Sequence, residues 1–151
     1  MSDLLLQLDH VSRFYKTIIG VGDLNLQLQK GAYGLIGPNG AGKTTFINLI
    51  VGALRPSIGR LQVLGCDPVR ERSVLGRIGL CPASDILYPN ISGLLWVEYM
   101  TGLHGYPRDE ARQRAYDSLM SVGMRDNMER PIGSYSLGMR QRTKLAQAIA
   151  H

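Results

Sequence analysis

Residues 37 to 45 read Gly37-Pro38-Asn39-Gly40-Ala41-Gly42-Lys43-Thr44-Thr45, which fits the spacing G-x-x-x-x-G-K-S/T and constrains the architecture more than any other stretch of the chain. Glycines so spaced let successive backbone N–H groups curl around one point, and a following helix adds the unpaired donors of its first turn. The flanks are those such a turn needs. Tyr33-Gly34-Leu35-Ile36 is short and mostly apolar, the pattern of a buried parallel strand, while Phe46, Ile47, Leu49, Ile50 and Ala53 recur at helical spacing. The chemistry of the run points to a nucleoside triphosphate: Lys43 can reach the β and γ phosphates, and the Thr44 hydroxyl can ligate Mg²⁺.

The bulk numbers agree with a single globular domain, since the chain has 151 residues, 44% of them hydrophobic and 19% charged. No apolar stretch approaches the ~18 to 20 residues that span a bilayer, and the N-terminus has no basic, apolar, small-residue leader pattern. A soluble, cytosolic chain is expected. Cys66 and Cys81 form no C-x-x-C pair and have no clustered His, so they read as buried free thiols. The net charge of +5 raises nucleic acid and anionic surfaces as partners. Most of the basic residues are scattered, however. Arg108, Arg112 and Arg114 alternate with Asp109, Glu110 and Asp117 as on a solvated helix face, and only the tail carrying Arg130, Arg140, Arg142 and Lys144 is one-sided.

Apolar residues two apart in Leu4–Leu8 and Leu24–Leu28 predict half-buried strands, and Gly59–Leu64 a further strand after the phosphate-loop helix. Arg77–Cys81 reads as a shorter strand stopped by Pro82. From Ser92 the texture turns helical, first with Leu94, Leu95, Val97 and Met100, then with Ala111, Ala115, Leu119 and Val122 on one face. Ser134 or Ser136 is placed to cap a last helix carrying Leu145, Ala148 and Ile149.

About 90 residues after the phosphate loop comes Ser134-Tyr135-Ser136-Leu137-Gly138-Met139-Arg140-Gln141-Arg142. This segment resembles the signature motif of ABC transporter ATPases, usually L-S-G-G-Q followed by Q-R or R-Q-R. Tyr135 stands for Leu, Leu137 for the first Gly and Met139 for Gln, whereas Ser136, Gly138 and Gln141-Arg142 match. It looks like the Y-S-L-G-M variant of bacterial drug, antibiotic and ABC-2-type exporters. The resemblance covers nearly the whole chain and implies an α/β P-loop NTPase fold of the ABC nucleotide-binding type, with an antiparallel β subdomain, a RecA-like core and a helical subdomain at about residues 90–133. It implies ATP and Mg²⁺ as cofactors, with nucleotide held by residues 37–45. In the family the signature serine and the helix start behind it contact the γ-phosphate held by a second ATPase subunit, which implies that role for Ser136 and Gly138. A separate transmembrane permease subunit would hold the pair at the inner face of the cell membrane. Tyr15, in Val11-Ser12-Arg13-Phe14-Tyr15-Lys16, matches the family's adenine-stacking aromatic, with Phe14 as the neighbouring alternative.

Two departures stand against that pattern. Ala83 occupies the place of a Gln that approaches Mg²⁺ in the family, and a methyl group cannot ligate a metal; Ser84, Asp85 or water could fill the gap. The family's apolar strand ending Asp-Glu, which supplies a Mg²⁺-holding Asp and the catalytic Glu, would follow the signature helix, and the sequence reaches His151 before it. The nearest imitation, Leu61–Asp67, is interrupted by Gln62 and Gly65 and reads as an ordinary strand and turn. No catalytic residue is identifiable. The expectation is therefore a domain incomplete at its C-terminus, an N-terminal portion that binds ATP rather than turning it over. The rivals are a cytosolic ABC protein acting on ribosomes or nucleic acid, motivated by the charge, and a truncated remnant without function. A P-loop kinase would have no need of Ser136 to Arg142.

Overall fold

A computed structural model of the chain describes residues 4–84 and 87–151. The chain forms two compact units, Met1–Leu75 and Gly76–His151.

The first unit is built on a three-stranded antiparallel sheet in the order β2-β1-β3, with β1 at Leu4–Tyr15, β2 at Ile18–Gln29 and β3 at Ile58–Val63. The predicted strands at Leu4–Leu8, Leu24–Leu28 and Gly59–Leu64 fall within these. The Lys16-Thr17 turn joins β1 to β2, and Lys16 takes φ +54°, the sign that a two-residue hairpin demands at its first turn position. Alternation along β1 and β3 buries Leu6, Leu8, Leu61 and Val63, and a register irregularity between Leu8 and Val11 lets Val11 be buried as well. Helix α1, Lys43–Ile50, packs against β2 and β3, burying Leu49 completely.

Two expected strands are absent. Tyr33–Ile36 pairs with no other strand among the described residues, and Ile36 is 94% exposed. A parallel strand exists only through neighbours on its edges, so an apolar run without them keeps its side chains and backbone groups in water. Arg77–Cys81 is likewise no strand: a 3-10 turn spans Arg72–Arg77 and the chain then continues irregularly to Pro82. Cys66 and Cys81 form no disulfide, but neither is buried as expected: Cys66 is half-buried and Cys81 exposed. Losing its strand leaves Cys81 on an open loop.

The second unit is helical: α2 at Gly93–Gly102, α3 at Arg108–Ser121 and α4 at Leu137–Ile149. Leu94, Trp96, Val97, Ala115, Leu119, Met124, Met128, Ile132, Tyr135, Ala146 and Ala150 form one core. Each large member gains roughly 1.5–3 kcal/mol on leaving water. Ala111, Ala115 and Leu119 face inward from α3, as their spacing predicts. Leu145 and Ile149 do not share that fate on α4, standing 45% and 51% exposed. The helix is rotated so that Thr143, Lys144 and Ala146 face the core instead.

Sequence pattern gave no sign of Glu98, which is buried in α2 with Arg112 Nη1 at 3.1 Å and Arg108 Nε at 3.6 Å. Arg108 and Arg112 stay exposed, as a solvated face predicts, and still reach across to neutralise this buried carboxylate. The third basic residue there, Arg114, pairs with Glu110 at 2.9 Å on the surface.

Tyr135 joins three segments of this unit. Its hydroxyl donates to the Asn127 carbonyl at 2.7 Å and accepts from the backbone N–H of Gly93 at 3.3 Å. That N–H belongs to the first turn of α2, where no helical partner exists, so the tyrosine satisfies a buried orphan donor. Burial pushes the phenol pKa up, against smaller lowering effects of the Gly93 N–H and the Arg130 charge. Tyr135→Phe is expected to destabilise the fold by about 1–3 kcal/mol, the usual cost of leaving buried polar groups unpaired. Urea denaturation measures it, and a midpoint equal to the parent's would contradict it.

Candidate functional site

Residues 37–42 form the loop at the head of α1. Gly40 and Gly42 take φ of +83° and +84°, the left-handed region that favours glycine. At Gly42 the space is closed as well, because a Cβ would collide with the carbonyl oxygen of Gly20 on β2. The loop therefore lies tight against the sheet. Phe46 N–H makes the first helical bond, to Gly42 at 2.9 Å, and the N-cap has no side-chain acceptor. The N–H groups of Lys43, Thr44 and Thr45 are thus free of helical partners, and no acidic residue occupies this first turn. Lys43 Nζ donates to the carbonyls of Gly37 and Pro38, both at 2.7 Å, so its ammonium folds back over the loop. Positive charge, a helix N-terminus and exposed N–H groups converge here, an arrangement that favours a phosphate anion.

Tyr15 lies beside this loop. Its hydroxyl is 3.4 Å from Thr45 Oγ1, its ring edge abuts Gly20, and the Arg13 guanidinium stands 5.0 Å from the ring centroid. Phe14 and Tyr15 are about equally exposed. The sequence thus brings Tyr15, Thr45 and the glycine loop together. It gives no hint that Gly20 is what lets them meet.

Thr44 is exposed, and its hydroxyl is engaged by no described residue. No group of three or more His, Cys, Asp or Glu side chains suited to a metal occurs among the described residues. A Mg²⁺ ion here would lean on Thr44, the phosphates and water, which suits an ion that keeps several waters. Asp67 is not part of this site: its Oδ1 accepts the N–H groups of Val69 at 2.9 Å and Arg70 at 3.2 Å, closing a turn after β3.

The second unit holds the Ser136 segment. Ser136 Oγ accepts the Met139 N–H at 3.3 Å, and Arg140 N–H makes the first helical bond to the Ser136 carbonyl at 3.0 Å. Ser136, of the two serines considered, is the cap of α4; Ser134 instead donates to the Pro131 carbonyl at 2.7 Å. The N–H groups of Leu137 and Gly138 remain without helical partners, both residues are exposed, and a Cβ at Gly138 would meet open space. Arg140 Nη1 holds the Tyr135 carbonyl at 2.7 Å, fixing the loop that presents this helix start.

The match to the ABC transporter family model runs over residues 21–151, taking in both the glycine loop and the Ser136 segment. The chain belongs to the ABC transporter family. It is 37% identical to the ABC transporter ATP-binding protein NatA of Bacillus subtilis over 90% of this chain and 56% of that protein. It is 34% identical to the daunorubicin resistance ATP-binding protein DrrA3 of Streptomyces coeruleorubidus over 99% of this chain and 48% of that one. The chain spans about half the length of the curated relatives it matches. Among solved structures, cbiO1 from Clostridium perfringens, part of the transporter complex cbiONQ, superimposes with a TM-score of 0.84 at 23% identity, covering 99% of this chain and 62% of that one. An ATP-binding subunit of an ABC transporter gives a TM-score of 0.79. The fold is that of a partial ABC nucleotide-binding domain.

Of the candidates for the position where an ABC ATPase usually has its Gln, Asp85 lies outside the described residues. Ala83 and Ser84 are described, and both offer their backbone carbonyls to Lys144 Nζ, at 3.5 and 3.3 Å. The one-sided basic tail is also accounted for. Arg130 donates to Asn127 Oδ1 at 2.8 Å, Arg142 to the Gly123 carbonyl at 3.2 Å, and Arg140 and Lys144 to the carbonyls already named. No helix among the described residues is long and apolar enough to cross a membrane.

Proposed function

We propose that this chain is the nucleotide-binding part of an ABC-type exporter, in which residues 37–45 hold the phosphates of ATP and Thr44 holds Mg²⁺. The observation that carries this reading is the head of α1: helical N–H groups without partners, no acidic residue, and the Lys43 ammonium over the same loop. Lys43 and the N–H groups bind and orient the phosphates, and Tyr15, or Phe14 beside it, offers a flat face to the base. Bound Mg²⁺ would supply charge neutralisation at the β and γ phosphates. The second exposed helix start, at Ser136 and Gly138, then serves the nucleotide of a partner ATPase subunit, with residues 90–133 as the helical subdomain between the two motifs. A permease subunit would hold the pair at the inner face of the cell membrane. The export direction rests on the Y-S-L-G-M form of the signature and on the likeness to a drug-resistance ATPase. Hydrogen bonds that commit the basic tail to neighbouring acceptors weigh against a role on ribosomes or nucleic acid.

Gly138→Asp tests the reading. A carboxylate placed at the open position should repel the partner's γ-phosphate, so ATP-driven dimerisation is expected to fail while each monomer still binds ATP. Sedimentation with and without ATP separates the outcomes. A variant that dimerises like the parent would remove the signature assignment.

A further inference from the structure

Lys144 heads the fully buried side chains in size among the described residues, at 1% exposure. A lysine is rarely sealed in this way, because its ammonium surrenders water that only well-placed acceptors replace. The acceptors here include two successive backbone carbonyls, Ala83 at 3.5 Å and Ser84 at 3.3 Å, some 60 residues earlier in the chain. Neither Ala83 nor its neighbour Pro82 carries a polar side chain, so in this stretch of loop the backbone carbonyls are the acceptors that an ammonium meets. A compact ammonium with three rotatable donors can grip adjacent carbonyls at once, as no apolar side chain could. Immediately before it in the chain, the Thr143 hydroxyl donates to the Met139 carbonyl at 2.9 Å, so the gripping residue sits on a helix tied internally back to its first turn.

We propose that Lys144 fastens the Pro82–Ser84 loop to α4, so that the loop and the helix start at Ser136 shift as one body. Lys144 touches no nucleotide in this proposal; it is a positioning residue. Its consequence for ATP rests on the reading of Ser136 and Gly138 given above. A displacement of the loop would then move the α4 start, and nucleotide capture there would hold the loop still.

The test uses a nitroxide on Cys81, which is exposed at the edge of this loop, in a Cys66→Ser background that leaves one thiol. Lys144→Met should shorten the correlation time of the label at least twofold, and Lys144→Arg should restore the parent line shape. An unchanged line shape in Lys144→Met overturns the proposal. Equal mobilisation in both variants with loss of the Trp96 core fluorescence also overturns it, since packing alone would then explain the residue. Should Lys144→Met fail to fold, ¹⁵N-lysine NMR of the unmutated protein decides the matter. The Lys144 ammonium is expected to exchange its protons at least tenfold more slowly than Lys16 and Lys30, and equal exchange overturns the fastening. In sedimentation, Lys144→Met should bind ATP like the parent but need at least tenfold more protein to dimerise; dimerisation at the parent's concentration would overturn the coupling. If the parent itself does not dimerise with ATP, the reading of the Ser136 segment falls, and the label and exchange measurements still judge the fastening.

Discussion

Lys43→Ala is expected to weaken ATP binding by about 2–4 kcal/mol, a loss of some 30-fold to 1,000-fold, in a titration with a fluorescent nucleotide. The ammonium is the only full positive charge within the glycine loop, and its two 2.7 Å bonds to Gly37 and Pro38 show that it already lies over that loop. Alanine removes this charge while leaving the helical N–H groups of α1 in place. Residual binding should therefore persist at a level set by those donors. The variant also gives up two carbonyl contacts that shape the free loop, so part of the loss will come from a less ordered site. Equal affinity in the two proteins would remove the phosphate-loop assignment.

The second large effect is expected from Gly42→Ala, which should destabilise the first unit by about 2–5 kcal/mol. Two costs add: a left-handed backbone with a side chain, about 1–2 kcal/mol, and the overpacking of a closed contact, about 1–3 kcal/mol. The contact is the Gly20 carbonyl oxygen, which occupies the space a Cβ would need. Gly40→Ala is the internal control. It has nearly the same φ, +83° against +84°, but nothing stands within 4 Å of its would-be Cβ. It should suffer the backbone cost alone. Denaturant midpoints for the two variants separate strain from collision, and equal shifts would mean that the β2 contact is immaterial.

Features set by near neighbours in the chain were readable in the sequence. Helix α1, the inward face of α3 at Ala111, Ala115 and Leu119, and the Ser136 cap all follow from spacings of three or four residues. The strands at Leu4–Leu8 and Gly59–Leu64 were readable because alternation is also local. Tyr33–Ile36 shows the limit: its apolar content suits a buried parallel strand, but a strand is made by its neighbours, and none of the described residues pairs with it. Glu98 and Lys144 were illegible for a related reason. Each looks in sequence like a surface charge, and each is buried because partners 10 to 61 residues away come to meet it. Gly20 carried no signal either, since its importance lies in what Gly42, Tyr15 and Thr45 do around it.

The Tyr135 hydroxyl bears on how such sequences can diverge. Read as a motif, Tyr and Leu look interchangeable at the start of the signature, but leucine has no hydroxyl for the Gly93 N–H or the Asn127 carbonyl. The dependence also runs the other way, because a Cβ at position 93 would stand 2.5 Å from that hydroxyl. Glycine at 93 and tyrosine at 135 therefore make one coupled choice, reachable from a leucine-bearing ancestor only through an intermediate that is either crowded or short of a hydrogen bond. Relatives with leucine at this position are released from glycine at the other, and residue pairs 42 positions apart should change together across the family's history.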